Sequence, residues 1–203
     1  MGANSLLQAS VDGYFIAPYT IANYLANDIH TGKISTDHIE FERAEVGVRA
    51  QIDRFLKIKG SKTVDYFHKT LGKILYDYCG LARNEKGLRH AIVEINRLKQ
   101  EFYKNVIVSG EANTLNTELE KAGRVADYFE IGELMCYDAL TRNESCGAHF
   151  REEYQTADGE ALRNDAEYQF ISAWAWKGEG QEPELIREPL IFEEIQPTVR
   201  SYK

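Results

Sequence analysis

Hydrophobic and polar positions alternate along this chain in a way that predicts a series of helices followed by a short β segment. Phe41, Ala44, Val48, Ile52 and Phe55 recur at helical spacing, with charged residues between them. An amphipathic helix is expected there, ended by Gly60. The next helix starts near Ser61 and carries Val64, Phe67, Leu71, Leu75 and Tyr78 on its stripe, with Gly80 placed to stop it in a left-handed turn. A third runs from about Asn84, with Leu88, Ala91, Ile95, Leu98 and Phe102 facing inward. A polar loop is expected from Lys104 to Thr114. The helix that follows starts near Asn116 and bears Leu119, Ala122, Ala126, Phe129, Leu134, Tyr137 and Leu140, ending before Gly147. Its apolar face is broad, which predicts a central position.

Ahead of these helices, residues 4 to 29 read as an interrupted helix. Asn4 or Ser5 offers a capping oxygen to its first turn. Gly13 and Pro18 break the regularity, and a kink or restart is expected at Pro18 because it lacks an N–H. Beyond it, Ile21, Tyr24, Leu25 and Ile29 share a face. The segment is apolar on more sides than a surface helix needs.

After Ala148 the pattern changes. Asp158-Gly159 signals a turn. Tyr168 to Trp176 alternates as a strand does, Gly178 and Gly180 mark a turn, and Glu184 to Arg187 can pair back before Pro189. Phe192 to Lys203 reads as extended. The fold class expected is mainly α: an up-and-down antiparallel helical bundle, because the connections are short, followed by a small C-terminal β hairpin and an extended tail. The expected division is 1–30, a helical segment; 31–147, the bundle; and 148–203, the extended and β appendage.

Composition narrows the function. Of 203 residues 43% are hydrophobic and 28% charged, enough for a real core. The net charge of −8 gives no basic face for nucleic acid. No secretory signal pattern and no membrane-spanning apolar run is visible. Cys79, Cys136 and Cys146 are widely spaced, so free thiols are expected rather than a zinc or iron–sulfur site.

Candidate chemistry is sparse. His30, His38, His68, His90 and His149 form no metal-ligand spacing. The pairs Glu42/Glu45 and Glu118/Glu120 read as solvated helix surface. Ser145 lacks the glycine arrangement of a nucleophile elbow. Cys146 with His149 admits either a thiol–imidazole pair or a structural turn after a helix, and no third orienting group is evident. The glycines form no dinucleotide or phosphate-loop pattern. The residues by themselves describe a helical domain without a catalytic constellation: no catalytic and no metal-binding residue is expected.

Three segments carry a resemblance. Gly2-Ala3-Asn4-Ser5-Leu6-Leu7, followed by Asp12-Gly13-Tyr14 and Pro18-Tyr19-Thr20, looks like the stretch R-L-G-x-N-S-L and its continuation in succinate dehydrogenase and fumarate reductase flavoproteins. Met1 stands where that pattern has leucine. Arg142 to Gln155 resembles R-x-E-S-R-G-A-H-x-R-x-D-x-P, with Cys146 in place of an arginine and Glu153-Tyr154-Gln155 in place of the aspartate and proline. Pro197 to Tyr202 is similar to the P-x-x-R-x-Y close of these subunits, and the helical region between follows the family in order and length.

The resemblance implies a C-terminal fragment of the flavoprotein subunit, with 1–30 a remnant of the flavin-binding domain. The dinucleotide fingerprint, the flavin-linking histidine, the substrate histidines and the catalytic arginine would all lie upstream. In the intact subunit, succinate and fumarate are interconverted through FAD, and electrons pass to an iron–sulfur subunit. Ser5 and Leu6 are the cofactor-contacting positions carried here, in the intact subunit only; in the isolated chain Ser5 reads as an N-cap, and no bound FAD is expected. The implied partners are the rest of the flavoprotein, the iron–sulfur subunit and, indirectly, a membrane anchor, at the inner face of the cell membrane. A homodimer of the fragment through residues 2–29 is a further expectation. The alternatives are an L-aspartate oxidase-like flavoprotein, which shares the E-S-x-G-x-H-x-R turn, and a free-standing helical interaction module.

Overall fold

The computed structural model describes residues 2–178 and 180–198. The chain divides into two compact units, Met1–Ile52 and Asp53–Lys203.

In the first unit, helix α1 (Gly2–Val11) runs into a π-helical stretch, Asp12–Ile21, and then into α2 (Ala22–Leu25). The helix is therefore continuous through Gly13 and Pro18, where the sequence predicts a break. Proline has no N–H to give, and its ring crowds the carbonyl four residues back. Widening the turn to the i→i+5 register accommodates both problems without stopping the helix. Asn4 and Ser5 lie inside α1 rather than at its cap. Apolar side chains here are solvent-facing: Leu6 is 74% exposed and Phe15 62%. Helix α3 (Ile39–Lys57) follows the predicted stripe in sequence, yet Phe41 and Val48 are exposed and Phe55 is its buried residue.

The second unit holds the core. Strand β1 (Lys62–Thr63) leads into α4 (Val64–Tyr78), then come α5 (Glu85–Asn105), β2 (Val106–Ile107) and α6 (Thr117–Thr141). Each helix begins on a side-chain cap. Thr63 accepts from the Tyr66 amide, Asn84 from Gly87 and Asn116 from Leu119, as capping residues do. β1 pairs in parallel with β2, so the start of α4 lies beside the end of α5. A bridge between Arg83 and Arg151 likewise sets the start of α5 beside the exit from α6. The three helices are thus antiparallel in succession, and all three pack on one another.

The α5 stripe is buried as predicted, with Leu88, Ala91, Ile95 and Phe102 at 0% exposure. Phe102 meets Phe55, Phe67 and Phe129 edge-on or tilted, with ring centroids 5.2–5.7 Å apart. Such pairs add to the burial energy of each ring. In α6 the inner face agrees with the prediction as far as Phe129. It then continues through Gly132, Cys136 and Ala139, while Leu134, Tyr137 and Leu140 are half-buried.

Two local expectations are corrected. Helix α4 ends with the Cys79 amide on the Leu75 carbonyl at 2.8 Å, and Gly80 does not take a left-handed backbone. The loop expected from Lys104 begins later, because Val106 and Val108 are buried in the core. Gly60 explains how that region closes: a Cβ there would lie 1.9 Å from the Asn105 carbonyl oxygen, so only glycine permits the approach.

Beyond α6 come a short α7 (Asp165–Tyr168), strand β3 (Phe170–Ala175) and strand β4 (Glu184–Pro189). The strands form an antiparallel hairpin in which Phe170 faces Pro189 and Ala175 faces Glu184. The mainly α architecture with a C-terminal hairpin is as the sequence predicts, except that Tyr168 belongs to α7. Of the P-x-x-R-x-Y close and the extended tail, residues 199–203 lie outside the described residues.

A candidate functional site at the turn after helix α6

Among the described residues, the buried polar side chains lie in the turn from Arg142 to Tyr154. Glu144, Ser145 and Arg151 are 2%, 0% and 1% exposed. Burying such groups is costly unless each is hydrogen-bonded, and each of them is. The Ser145 hydroxyl donates to the Arg151 carbonyl at 3.1 Å and accepts from the Arg151 amide at 2.8 Å. The Glu144 carboxylate accepts from Arg142 at 3.1 Å and from the Asn164 amide at 2.9 Å.

Arg151 closes the end of α6. Its Nη1 donates to the Ala139 carbonyl at 2.8 Å, and its Nε pairs with Glu153 at 3.1 Å. The last carbonyls of a helix lack intrahelical partners and carry partial negative charge, so a guanidinium there satisfies both needs. Arg142 does similar work toward the hairpin. Its Nη2 donates to the Tyr168 and Phe170 carbonyls, both at 3.0 Å. Trp174 of β3 donates to Asp138 of α6 at 2.8 Å.

Cys146 and His149 exchange backbone hydrogen bonds at 2.8 and 3.1 Å. Gly147 between them has φ +61°, at the position that mirror-image hairpin turns reserve for glycine. The His149 ring is engaged on both sides. Nε2 lies 2.9 Å from the Arg142 carbonyl, and Nδ1 lies 3.2 Å from Nη1 of Arg83. Arg83 can only donate, so Nδ1 accepts and Nε2 carries the proton. Burial pushes the ring below the ordinary histidine value, and the Arg83, Arg151 and Arg142 charges add to this, although the Arg142 carbonyl opposes it. Burial also pushes the Cys146 thiol up. A neutral thiol beside an imidazole with both nitrogens occupied is no nucleophile–base pair. Of the two readings of this segment, the structural turn is the one the geometry describes.

The remaining chemistry is equally quiet. The three cysteines are free. Cys79 and Cys136, both buried, share a hydrogen bond that holds the Cys79 thiol down at about 7, aided by the Arg83 charge, and pushes Cys136 up. No cluster of three or more metal-ligating side chains occurs among the described residues. Glu45, Glu118 and Glu120 form surface ion pairs with Arg49, Lys121 and Arg124. Ser5 and Leu6, the proposed flavin contacts, lie in the first turns of α1 with exposed side chains, far along the sequence from the polar turn. The sequence did not signal Arg83 as a member of this cluster, because its partner His149 is 66 residues away.

Antiparallel helices capped by a buried arginine turn, with an appended hairpin, define an α-helical domain whose polar cluster serves architecture. Residues 68–202 match the family described as Fumarate reductase flavoprotein C-term, and the chain belongs to that family. Along its whole length it is 23% identical to the fumarate reductase flavoprotein subunit of Haemophilus influenzae, of which it spans 31%. In three dimensions 83% of it matches an FrdA chain of Escherichia coli quinol fumarate reductase, with a TM-score of 0.69, 18% identity and 28% of that chain covered. It also matches adenylylsulfate reductase of Archaeoglobus fulgidus, with a TM-score of 0.58, 18% identity, 84% of this chain covered and 27% of that one. Both structural likenesses bear on the fold alone. The chain thus spans less than a third of the length of the curated relatives it matches.

Proposed function

We propose that this chain is the C-terminal helical domain of a flavoprotein subunit that, when intact, interconverts succinate and fumarate through FAD and passes electrons to an iron–sulfur subunit. The observation that carries the reading is the family match over residues 68–202, joined to a turn whose buried groups are all spent on structure. The domain itself is a structural and docking element without activity of its own. Residues 1–30 belong to the flavin-binding domain of the intact subunit, residues 31–147 to the bundle, and 148–203 to the appendage. The subunit works in the cytoplasm, held peripherally at the inner face of the membrane through its partners. Among the described residues, no helix is long and apolar enough to cross a membrane.

FAD, when bound, supplies the acceptor for a hydride. The part of this chain that fits such a group is the start of α1, a ten-residue helix with Ser5 and Leu6 exposed in its first turns. Amides at a helix start can stabilise negative charge on a flavin ring. One helix end is a single wall of a site, so the isolated chain is expected to hold no flavin. Absorbance of the purified, dialysed chain tests this; a near-stoichiometric flavin band, or succinate oxidation by the chain alone, overturns it.

The isolated chain also pairs with a second copy through residues 2–29. Leu6, Leu7, Phe15, Ile21 and Tyr24 are all at least half exposed, and apolar surface gains about 25 cal/mol per Å² when removed from water. A twofold contact is the commonest closed form. Sedimentation with and without residues 2–29 decides it: a dimer that becomes a monomer on truncation is expected, and a monomer in both cases sinks the idea.

A further inference from the structure

His149 sits at a joint between two elements that are distant in sequence. On one side is the exit from α6, represented by the Arg142 carbonyl. On the other is the loop entering α5, represented by the Arg83 guanidinium. Backbone bonds run alongside: the Arg83 amide donates to the Phe150 carbonyl at 3.1 Å, and the Glu152 amide to the Arg83 carbonyl at 2.8 Å. Asn84, the cap of α5, donates to Glu152 at 2.7 Å, and the Glu85 amide donates to Glu153. The start of α5 is thus fastened to the turn by one imidazole, two carboxylates and a two-bond bridge.

The imidazole is the member whose role reverses on protonation. We propose that His149 is an acid-sensitive latch: neutral, it clamps the loop before α5 onto the turn after α6, and protonated, it releases that loop. A proton taken from solvent goes to Nδ1, the ring nitrogen that carries no hydrogen, and displaces the hydrogen bond it accepts from Arg83. That nitrogen then becomes an N–H donor aimed at a guanidinium that is itself only a donor. The Arg83–His149 hydrogen bond is lost and replaced by repulsion between two cations in a half-buried setting, where screening by water is weak.

The charged groups around the ring strengthen the effect. Arg83 faces it from the loop, and Arg142 and Arg151 add positive charge from the end of α6 and from the turn. The carboxylates of the turn are already engaged. Glu144 binds Arg142 and Asn164, Glu153 binds Arg151 and Glu85, and Glu152 binds Asn84. None of them bonds to the imidazole. Cys146 meets His149 through backbone only and its thiol stays neutral. The sign of the pH dependence follows. The folded ring titrates below its unfolded value, so the latch contributes fully above about pH 6.5 and is lost as pH falls toward the folded value. Glu153 is held below the ordinary glutamate value, so the imidazole signals and not the acid limb of stability identify the titration of His149.

Long-range proton–nitrogen NMR of the imidazoles in the full chain, from pH 8 to 4.5, tests the proposal together with amide exchange at Arg83 and Glu152. The expected result is an Nε2–H tautomer that persists below about pH 6.5. Exchange at both amides, corrected for its intrinsic rate, should then accelerate in step with the titration of the ring. His149→Gln keeps a donor and an acceptor in place and should abolish the acceleration. Should that variant not fold, Arg83→Met retains the ring, and His149 should then titrate closer to the ordinary value. An Nδ1–H tautomer at neutral pH overturns the latch. So does exchange that ignores the titration of His149, or a titration midpoint that is unmoved in Arg83→Met.

Discussion

The stripes of α3 and α5 look alike in sequence, and they end differently. Both place large apolar residues at helical spacing. On α5 every residue of the stripe, from Leu88 to Phe102, is buried, and the core it joins is built from α4, α6, Phe55 at the end of α3, and Val106 and Val108. On α3, Phe41 is 48% exposed and Val48 56%, while Phe55 in the last turns is at 2%. A hydrophobic stripe states a need for a partner and does not supply one. In the second unit the chain provides its own partners through short antiparallel returns. In the first unit the apolar residues of α1, the π-helical stretch and most of α3 stay in water.

This contrast can be broken by substitution. The largest effect is expected at Phe102, which is fully buried and meets Phe55, Phe67 and Phe129. Phe102→Ala should cost about 3–5 kcal/mol in urea unfolding. A loss under about 1 kcal/mol, the centre of ordinary point mutations, would mean that the aromatic cluster does not organise the second unit. Leu71→Ala, at 2% exposure, should follow at about 2–5 kcal/mol.

A smaller cost is expected at the polar end of the core. Arg151→Met keeps the length of the side chain and removes the donors to Ala139 and Glu153. Leaving buried acceptors unmet costs about 1–3 kcal/mol, and amide exchange should rise in the last turn of α6 before it rises elsewhere. Uniform exchange along α6 would show that Arg151 does not serve as its cap.

The pH dependence of the same region sharpens the distinction between the units. Burial works to raise the Glu153 carboxyl, but the Glu85 amide and Arg151 outweigh it and hold the group below the ordinary glutamate value. The stability it adds is therefore present above about pH 4.3 and lost as pH falls through the folded value. In Glu153→Gln, the acid limb of the unfolding midpoint against pH should flatten; an unchanged slope would remove Glu153 from the account. The smallest effect is expected on α3. Phe41→Ala in the isolated chain should change stability by less than about 0.5 kcal/mol, the range for exposed sites. A loss above about 2 kcal/mol would show that its stripe is covered after all.

The turn at 142–154 shows why a site can be visible in a sequence while its meaning is not. Arg142, Glu144, Ser145, His149 and Arg151 stand out as a motif, and the resemblance to the flavoprotein family rests largely on them. Sequence spacing permits Cys146 and His149 to act as a reactive pair. What decides against it is Arg83, brought to Nδ1 of the ring from the loop before α5. No local pattern could announce that contact, because it exists only once α5 and α6 lie antiparallel.

Legible in the residues alone were three helices between about Val64 and Thr141, helix starts near Asn84 and Asn116, a hairpin joining a strand within Tyr168 to Trp176 to one from Glu184, and the family. These depend on periods of 3.6 and 2, on side-chain oxygens next to free amides, and on turn glycines, all of which act within a few residues. Packing settled which stripes find partners, where the inner face of α6 shifts after Phe129, how the helix passes Pro18 by widening its register, and that His149 is engaged on both sides. Those outcomes depend on surfaces meeting across dozens of residues, and whether a buried group is a reactant or a fastener depends on what meets it there.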